Sequence, residues 1–452
     1  MTTFDEAIPI ALGVCEALEG FPDIEACLVR DLSGRIRLVL RSGNRASDKK
    51  VDATALEAQL ARQLGGFFAG PILCTWGKPA QATLARAVFD RASTWPPGWP
   101  TKFQRDGAEH AVDTTRWRGL ARVLAKEAWL AAPVDPPWPL HAGTPTIVSF
   151  HSFKGGVGRS TLLALCARRL ARQGHRVVAI DLDFEAPGLG SLFEAPPVGG
   201  RGALDWVVDH IALRGDHVSP VDAAPAAKLS PTEANQIRVL PAGEVGWSHI
   251  EKLGRLDYAS AGGEPGVASP VESALRALLG DIRRRYEPRF VFLDARSGLH
   301  DLGGLSLHAL SHVDVLVTRD GPQNLLGLKL VLQAIAQRQG DSPRHPIVVH
   351  AMAPFEGDNT DVEIVKRFGS SVYDAFTEHY YGEEDLPALE DTTAFHSPLP
   401  FRFRDELRRL HLASQFDDSL VDASDVRAIT DRLVELSGVE DVDPADGEGG
   451  RA

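Results

Sequence analysis

The sequence predicts an α/β fold, a parallel sheet with helices on both faces, preceded by a smaller α+β domain. Three observations predict it. Apolar, β-branched runs recur at 146–150, 176–183 and 289–294, the last two ending in aspartates, as strands buried on both faces of a parallel sheet do. A glycine-rich turn at 155–158 joins the first run to a helical stretch that stops at Gly174. The segment Ala131-Ala-Pro-Val-Asp-Pro-Pro-Trp-Pro-Leu140 has the proline density of a stiff linker, which sets a boundary there.

Before that boundary the pattern is α+β. Phe4 to Leu18 has helical periodicity, 26–31 and 35–41 read as a hairpin turning through Leu32-Ser-Gly34, and Ala53 to Leu64 reads as a helix. A strand at Leu73 to Trp76 and a helix from Ala80 to Arg91 follow, Trp95-Pro-Pro-Gly-Trp-Pro100 interrupts, and Thr115 to Leu130 reads as a helix again. His110, Asp113 and Trp117 suggest a loop with polar contacts, and no catalytic set is visible in this half.

After the boundary, Thr146-Ile-Val-Ser-Phe150 leads into Phe153-Lys-Gly-Gly-Val-Gly-Arg-Ser-Thr161 and then a leucine-rich helix with arginines in its last turns. Small residues at Gly155, Gly156 and Gly158 let backbone N–H groups close around phosphate oxygens, and the helix start turns its positive end to the anion. Ser160 offers a hydroxyl to Mg²⁺. The strand Arg176 to Asp183 carries Asp181 and Asp183 at its carboxyl end, where ligands of such sheets bind. Ser269-Pro-Val-Glu272 opens an arginine-rich helix that ends before Pro288, and Arg289 to Asp294 is a hydrophobic strand ending in an acid. Further strands are predicted at 237–243, 313–318 and 346–350.

The loop resembles that of the ParA/MinD-like, SIMIBI-class P-loop ATPases, whose deviant motif reads K-G-G-V-G-K-[ST], in a variant with arginine at the last basic position, here Arg159. The resemblance implies ATP and Mg²⁺ as cofactors, with Lys154, Gly155, Gly156, Val157, Gly158, Arg159, Ser160 and Thr161 binding the nucleotide. It implies that Asp183 orients the attacking water, that Ser160, Asp181 and Asp294 serve the metal, and that Lys154 reaches the nucleotide of a second subunit in an ATP-dependent homodimer. Residues 295–304 match the second switch segment, although Arg296 and Ser297 stand where the family has prolines. The asparagine that helps hold the base in the family is absent from the 346–350 strand, and the Pro398 to Arg404 stretch is a candidate for that contact instead. Arginine in place of lysine points to retained binding and slow turnover.

The resulting organisation is residues 1–140 as an α+β partner-binding module for an unknown protein, 141–438 as the ATPase domain, and 439–452 as an acidic, glycine-rich tail read as disordered. Proteins of the variant group are associated with multi-component bacterial systems, among them defence or conflict systems. Alternatives are an ATP-binding interaction protein without turnover, a DNA-partitioning ATPase, and a P-loop tyrosine kinase; the kinase lacks its tyrosine-rich tail, since no tyrosine follows Tyr381.

Composition agrees. The 452 residues suffice for two to three domains, and 44% are hydrophobic. No apolar run approaches the roughly 20 residues that span a bilayer, and the first residues lack the basic start of a signal peptide, so a cytoplasmic location is expected, with no membrane anchor. Cys15, Cys27, Cys74 and Cys166 lack metal-ligand spacing and read as buried thiols. A net charge of −13 argues against nucleic acid as a partner. The arginines at 283–285 and at 402, 404, 408 and 409 read as solvated helix faces.

Overall fold

The computed structural model describes all residues except 1, 19–20, 22–23, 43–50, 93, 97, 124, 132, 215–223, 259–267, 337–344, 356, 358, 383–385 and 439–452. The acidic tail therefore lies outside the described residues. Those described fall into two compact units, one drawn from 1–131 and 258–269, the other from 132–257 and 270–452.

In the first unit, strands β1 (Ile24–Arg30), β2 (Ile36–Ser42), β3 (Leu73–Cys74) and β6 (Trp117–Ala121) form a sheet in the order β3-β2-β1-β6. β1 and β2 are the expected antiparallel hairpin, while β6 joins β1 in parallel. The helices Ala7–Glu16 and Ala53–Leu64 supply Ile8, Leu12, Leu56 and Leu60 to the core beneath this sheet, and Pro79–Arg91 packs Phe89 elsewhere against it. The helix expected over 115–130 is a strand followed by one helical turn, Glu127–Leu130. The parallel ladder to β1, in which Gly119 stands opposite Leu28, overrides the helical spacing, and Gly119 lets the strand lie close to Pro96, where a Cβ would sit 2.2 Å from Pro96 Cδ. Strands β4 (Lys102–Arg105) and β5 (Ala108–Ala111) make a separate hairpin. His110 stacks on Phe103, Asp113 accepts from the Thr115 and Arg116 side chains, and buried Trp117 donates its indole N–H to Glu16; all three are structural.

The second unit is a seven-stranded sheet in the order β13-β12-β11-β7-β10-β8-β9, every adjacent pair parallel. The strands are β7 (Thr146–His151), β8 (Val177–Leu182), β9 (Ile237–Leu240), β10 (Phe290–Ala295), β11 (Val313–Thr318), β12 (His345–Ala353) and β13 (Leu399–Arg402). In β7, β8, β10 and β11 every residue is buried, the pattern of strands covered on both faces. β7 lies centrally, with later strands added on both sides of it, and the crevice at its carboxyl end is where an open α/β sheet binds ligands.

The proline-rich stretch read as a linker is held on this second unit. Val134 donates its N–H to His308 O, and Trp138, 6% exposed, donates its indole N–H to Pro145 O while its own carbonyl meets His312 Nε2. Arg404, read as part of a solvated helix face, instead forks onto the buried Asp425 at 2.8 and 2.9 Å. The four cysteines are free and buried, as expected. Among the described residues, no helix is long and apolar enough to cross a membrane.

Candidate phosphate-binding site

β7 ends at His151, the glycine-rich turn follows, and the helix Arg159–Arg172 begins at once. That helix forms because Leu162, Leu163, Cys166 and Leu170 recur on the buried face, and it stops where Gly174 takes φ +84° beyond its last turn. Arg169 and Arg172 in that last turn complement its negative end. At the other end Gly158 (φ +89°) caps the helix in a left-handed conformation, and Gly156 (φ +75°) adopts another within the turn. Val157, 3% exposed, roots the turn in the core while Lys154, Gly155 and Gly156 stay exposed. Lys154 Nζ lies 5.9 Å from the centre of the Phe153 ring. The turn's backbone is thus presented outward with the positive end of a long helix behind it, which suits an anion.

Acids converge on this turn through strand register. Asp294 stands opposite Phe150 of β7 on one side and Asp181 of β8 on the other. Its two oxygens are taken by Arg159 Nε at 2.6 Å and Ser160 Oγ at 2.7 Å. Arg159 also reaches Asp183 Oδ2 at 3.4 Å, so its guanidinium bridges the two carboxylates. Burial alone would lower the Arg159 pKa; Asp294 and Asp183 more than offset it and leave it raised. Thr161 follows Ser160 in the first helical turn.

Asp181 is fully buried and accepts backbone N–H bonds from Asp183, Gly188 and Leu189. Burial, then the nearby charge of Asp294, pushes its pKa up to about 7 against the pull of those three donors. Its visible work is to fold the loop after β8 that carries Asp183.

Sequence reading missed the partners of that loop. Arg296, just after β10, binds Asp183 Oδ1 at 2.7 Å and Glu185 at 2.8 Å, and His300 Nε2 meets Glu185 at 3.0 Å. The loop after β10 is itself tied to the start of the glycine-rich turn by Gly298 N–H donating to Ser152 O. Departure from the family motif at Arg296 was the available signal. Phe401 of β13 also sits under the turn, 3.3 Å from where a Cβ on Gly158 would lie.

The donor set fits magnesium. Ser160 Oγ and Asp294 Oδ2 are adjacent hard oxygens, and Mg²⁺ takes one or two such ligands from protein and the rest from phosphate and water. No cluster of three or more His, Cys, Asp or Glu side chains able to hold a metal by itself occurs among the described residues.

Residues 148–194 match the family model of the CobQ/CobB/MinD/ParA nucleotide binding domain. A 59-residue segment, 12% of this chain and 19% of the relative, is 44% identical to an iron-sulfur cluster carrier protein of Rickettsia bellii (strain RML369-C). The chain spans about a fifth of the length of the curated relatives it matches. Among solved structures, the septum site-determining protein MinD of Pyrococcus horikoshii OT3, complexed with Mg-ADP, is 18% identical over 65% of this chain and 98% of its own, with TM-score 0.42. The ATP complex of a Cyanothece McdA variant is 14% identical over 66% and 98%, with TM-score 0.44. The family match thus falls on the strand, turn and helix that build this site, and over residues 148–194 the chain is similar to the CobQ/CobB/MinD/ParA nucleotide binding domain.

Proposed function

We propose that the chain is a cytoplasmic ATP-binding, slowly hydrolysing switch of the ParA/MinD type, paired as a dimer when ATP is bound and acting on a protein partner through residues 1–140. The observation that supports it most is the meeting of Ser160 and Asp294 at 2.7 Å beside the glycine-rich turn, a hydroxyl and a carboxylate placed for a metal next to backbone donors placed for phosphate. In this reading Gly155 to Thr161 cradle the phosphates by their N–H groups, while Ser160 and Asp294 hold Mg²⁺. Bound magnesium neutralises charge on the terminal phosphates. Asp183 orients the water whose oxygen bonds to the terminal phosphorus as the bond to the bridging oxygen breaks; ADP keeps that electron pair, and the protons pass to phosphate and solvent. Lys154 is exposed, as a side chain that serves the nucleotide of a second copy must be.

A second reading, binding without turnover, is favoured by one observation: Arg159 occupies the carboxylates that metal and water would need. Calorimetry with MgATP, phosphate release, and light scattering with a non-hydrolysable analogue separate the two. Binding, release and an analogue-induced dimer weakened by Lys154→Ala support the switch; binding without release supports the second reading. Absence of any binding refutes both. A role within a multi-component bacterial system, including defence or conflict, is the remaining part of the proposal, and the genes beside this one test it by encoding the partner or failing to.

A further inference from the structure

Asp183 is held by both oxygens. Oδ2 faces the Arg159 guanidinium at 3.4 Å, and Oδ1 accepts from Arg296 at 2.7 Å and from the Ala186 N–H at 3.2 Å. The second arm of Arg296 grips Glu185 Oε2 at 2.8 Å, and His300 Nε2 takes the other Glu185 oxygen at 3.0 Å. His300 Nδ1 accepts the Leu302 N–H, so in the neutral ring Nε2 carries the hydrogen and donates to Glu185. The loop after β8 is therefore pinned at two carboxylates by two side chains from the loop after β10, while Asp183 itself is 13% exposed. With Oδ1 taken by Arg296 and the Ala186 N–H and Oδ2 facing Arg159, a water must compete with guanidinium donors for the acceptor positions of Asp183.

We propose that Arg296 is a positioning residue that withholds Asp183 from water by latching the loop after β8 to the loop after β10, so that hydrolysis waits on release of this pair. The proposal rests on the nucleotide reading given above. A terminal phosphate held in the turn supplies the release, because it competes with Asp183 for guanidinium groups that bind phosphate oxygens as well as carboxylates. Glu185 holds the arm of Arg296 that does not touch Asp183, and His300 holds Glu185, so the two set how readily the latch opens.

The test uses the full chain with Arg296→Ala, Arg296→Lys and Glu185→Gln. Three quantities are read: affinity for a non-hydrolysable MgATP analogue, steady-state phosphate release, and backbone hydrogen exchange of 183–189 without nucleotide. Arg296→Ala is expected to release phosphate about fivefold faster or more, to keep analogue affinity within about threefold, and to speed exchange in 183–189. Arg296→Lys, with one arm, falls between parent and alanine, and Glu185→Gln gives a gain of about twofold. Slower or unchanged release in Arg296→Ala overturns the latch and makes Arg296 a helper of hydrolysis or a bystander. Should that variant fail to fold, Glu185→Gln carries the test, and no rise in release with unchanged exchange overturns the proposal. A parent protein that binds no analogue refutes the nucleotide reading instead, and exchange in 183–189 still reports whether Arg296 pins the loop.

Discussion

Substituting alanine for each of two glycines in the phosphate turn separates what the fold needs from what a phosphate needs. Gly158 has φ +89° with its Cβ position 3.3 Å from Phe401 Cε1, so Gly158→Ala forces a left-handed alanine and pushes a buried ring by a few tenths of an ångström. The conformational part costs roughly 1–2 kcal/mol, and the displaced ring brings the total to about 2–3 kcal/mol. Gly155 takes no left-handed conformation, and the nearest atom to its Cβ position is Ser297 Oγ at 3.7 Å, an ordinary contact. Gly155→Ala therefore leaves stability within about 0.5 kcal/mol of the parent, or raises it slightly by restricting the unfolded chain. Both methyl groups enter the turn that is read as closing on phosphate, so both variants lose MgATP affinity by about tenfold or more, near 1.4 kcal/mol. Urea midpoints report the first quantity and calorimetry the second. A Gly158→Ala variant as stable as the parent refutes the backbone geometry; parental affinity in both variants refutes the cradle.

Asp183→Asn is expected to lower phosphate release by about tenfold or more while keeping analogue affinity within about threefold; equal release moves the water-orienting role elsewhere. Glu233, 2% exposed, accepts a fork from Arg168 and a further bond from Arg172 Nε at 2.7 Å, so Glu233→Gln strands a buried guanidinium and costs about 3 kcal/mol in a urea midpoint comparison. Burial alone would raise the Asp425 pKa, but the Arg404 fork and the Arg402 N–H hold it below the ordinary value. The unfolded chain then binds the proton more readily, so this contribution is complete above about pH 4 and is lost as pH falls through the folded value. Unfolding midpoints of the parent should drop on that limb, and those of Asp425→Asn should drop less.

The parallel sheet and the glycine-rich turn between strand and helix were legible because their signals are local. Buried runs such as Phe290–Ala295 announce themselves without neighbours, and Gly156 and Gly158 stand where a left-handed backbone is needed. The hairpin β4–β5 was equally open to reading, since Asp106-Gly107 is a two-residue turn with both φ positive, yet its short flanks carry too few apolar residues to stand out. Trp117 and Leu120, three apart, mimic a helix, and only pairing with β1 makes them a strand. Ion pairs were not legible: Arg296 and Asp183 are 113 residues apart, and nothing in either segment names the other.

Phe401 ties the carboxyl-terminal part of the chain to the turn read as the nucleotide site. It stands on β13, an edge strand held by a single ladder to β12 and by the Arg404 fork to the helix Ser424–Leu436, and it shares a core with Val157 beneath the turn. A ligand that stiffens the turn must then steady this edge, and by reciprocity any contact that steadies or loosens the edge alters ligand affinity by the same factor. The floor of the turn is thus reached from an edge strand, where a change remote from every residue read as a phosphate contact would alter how long a bound ligand stays.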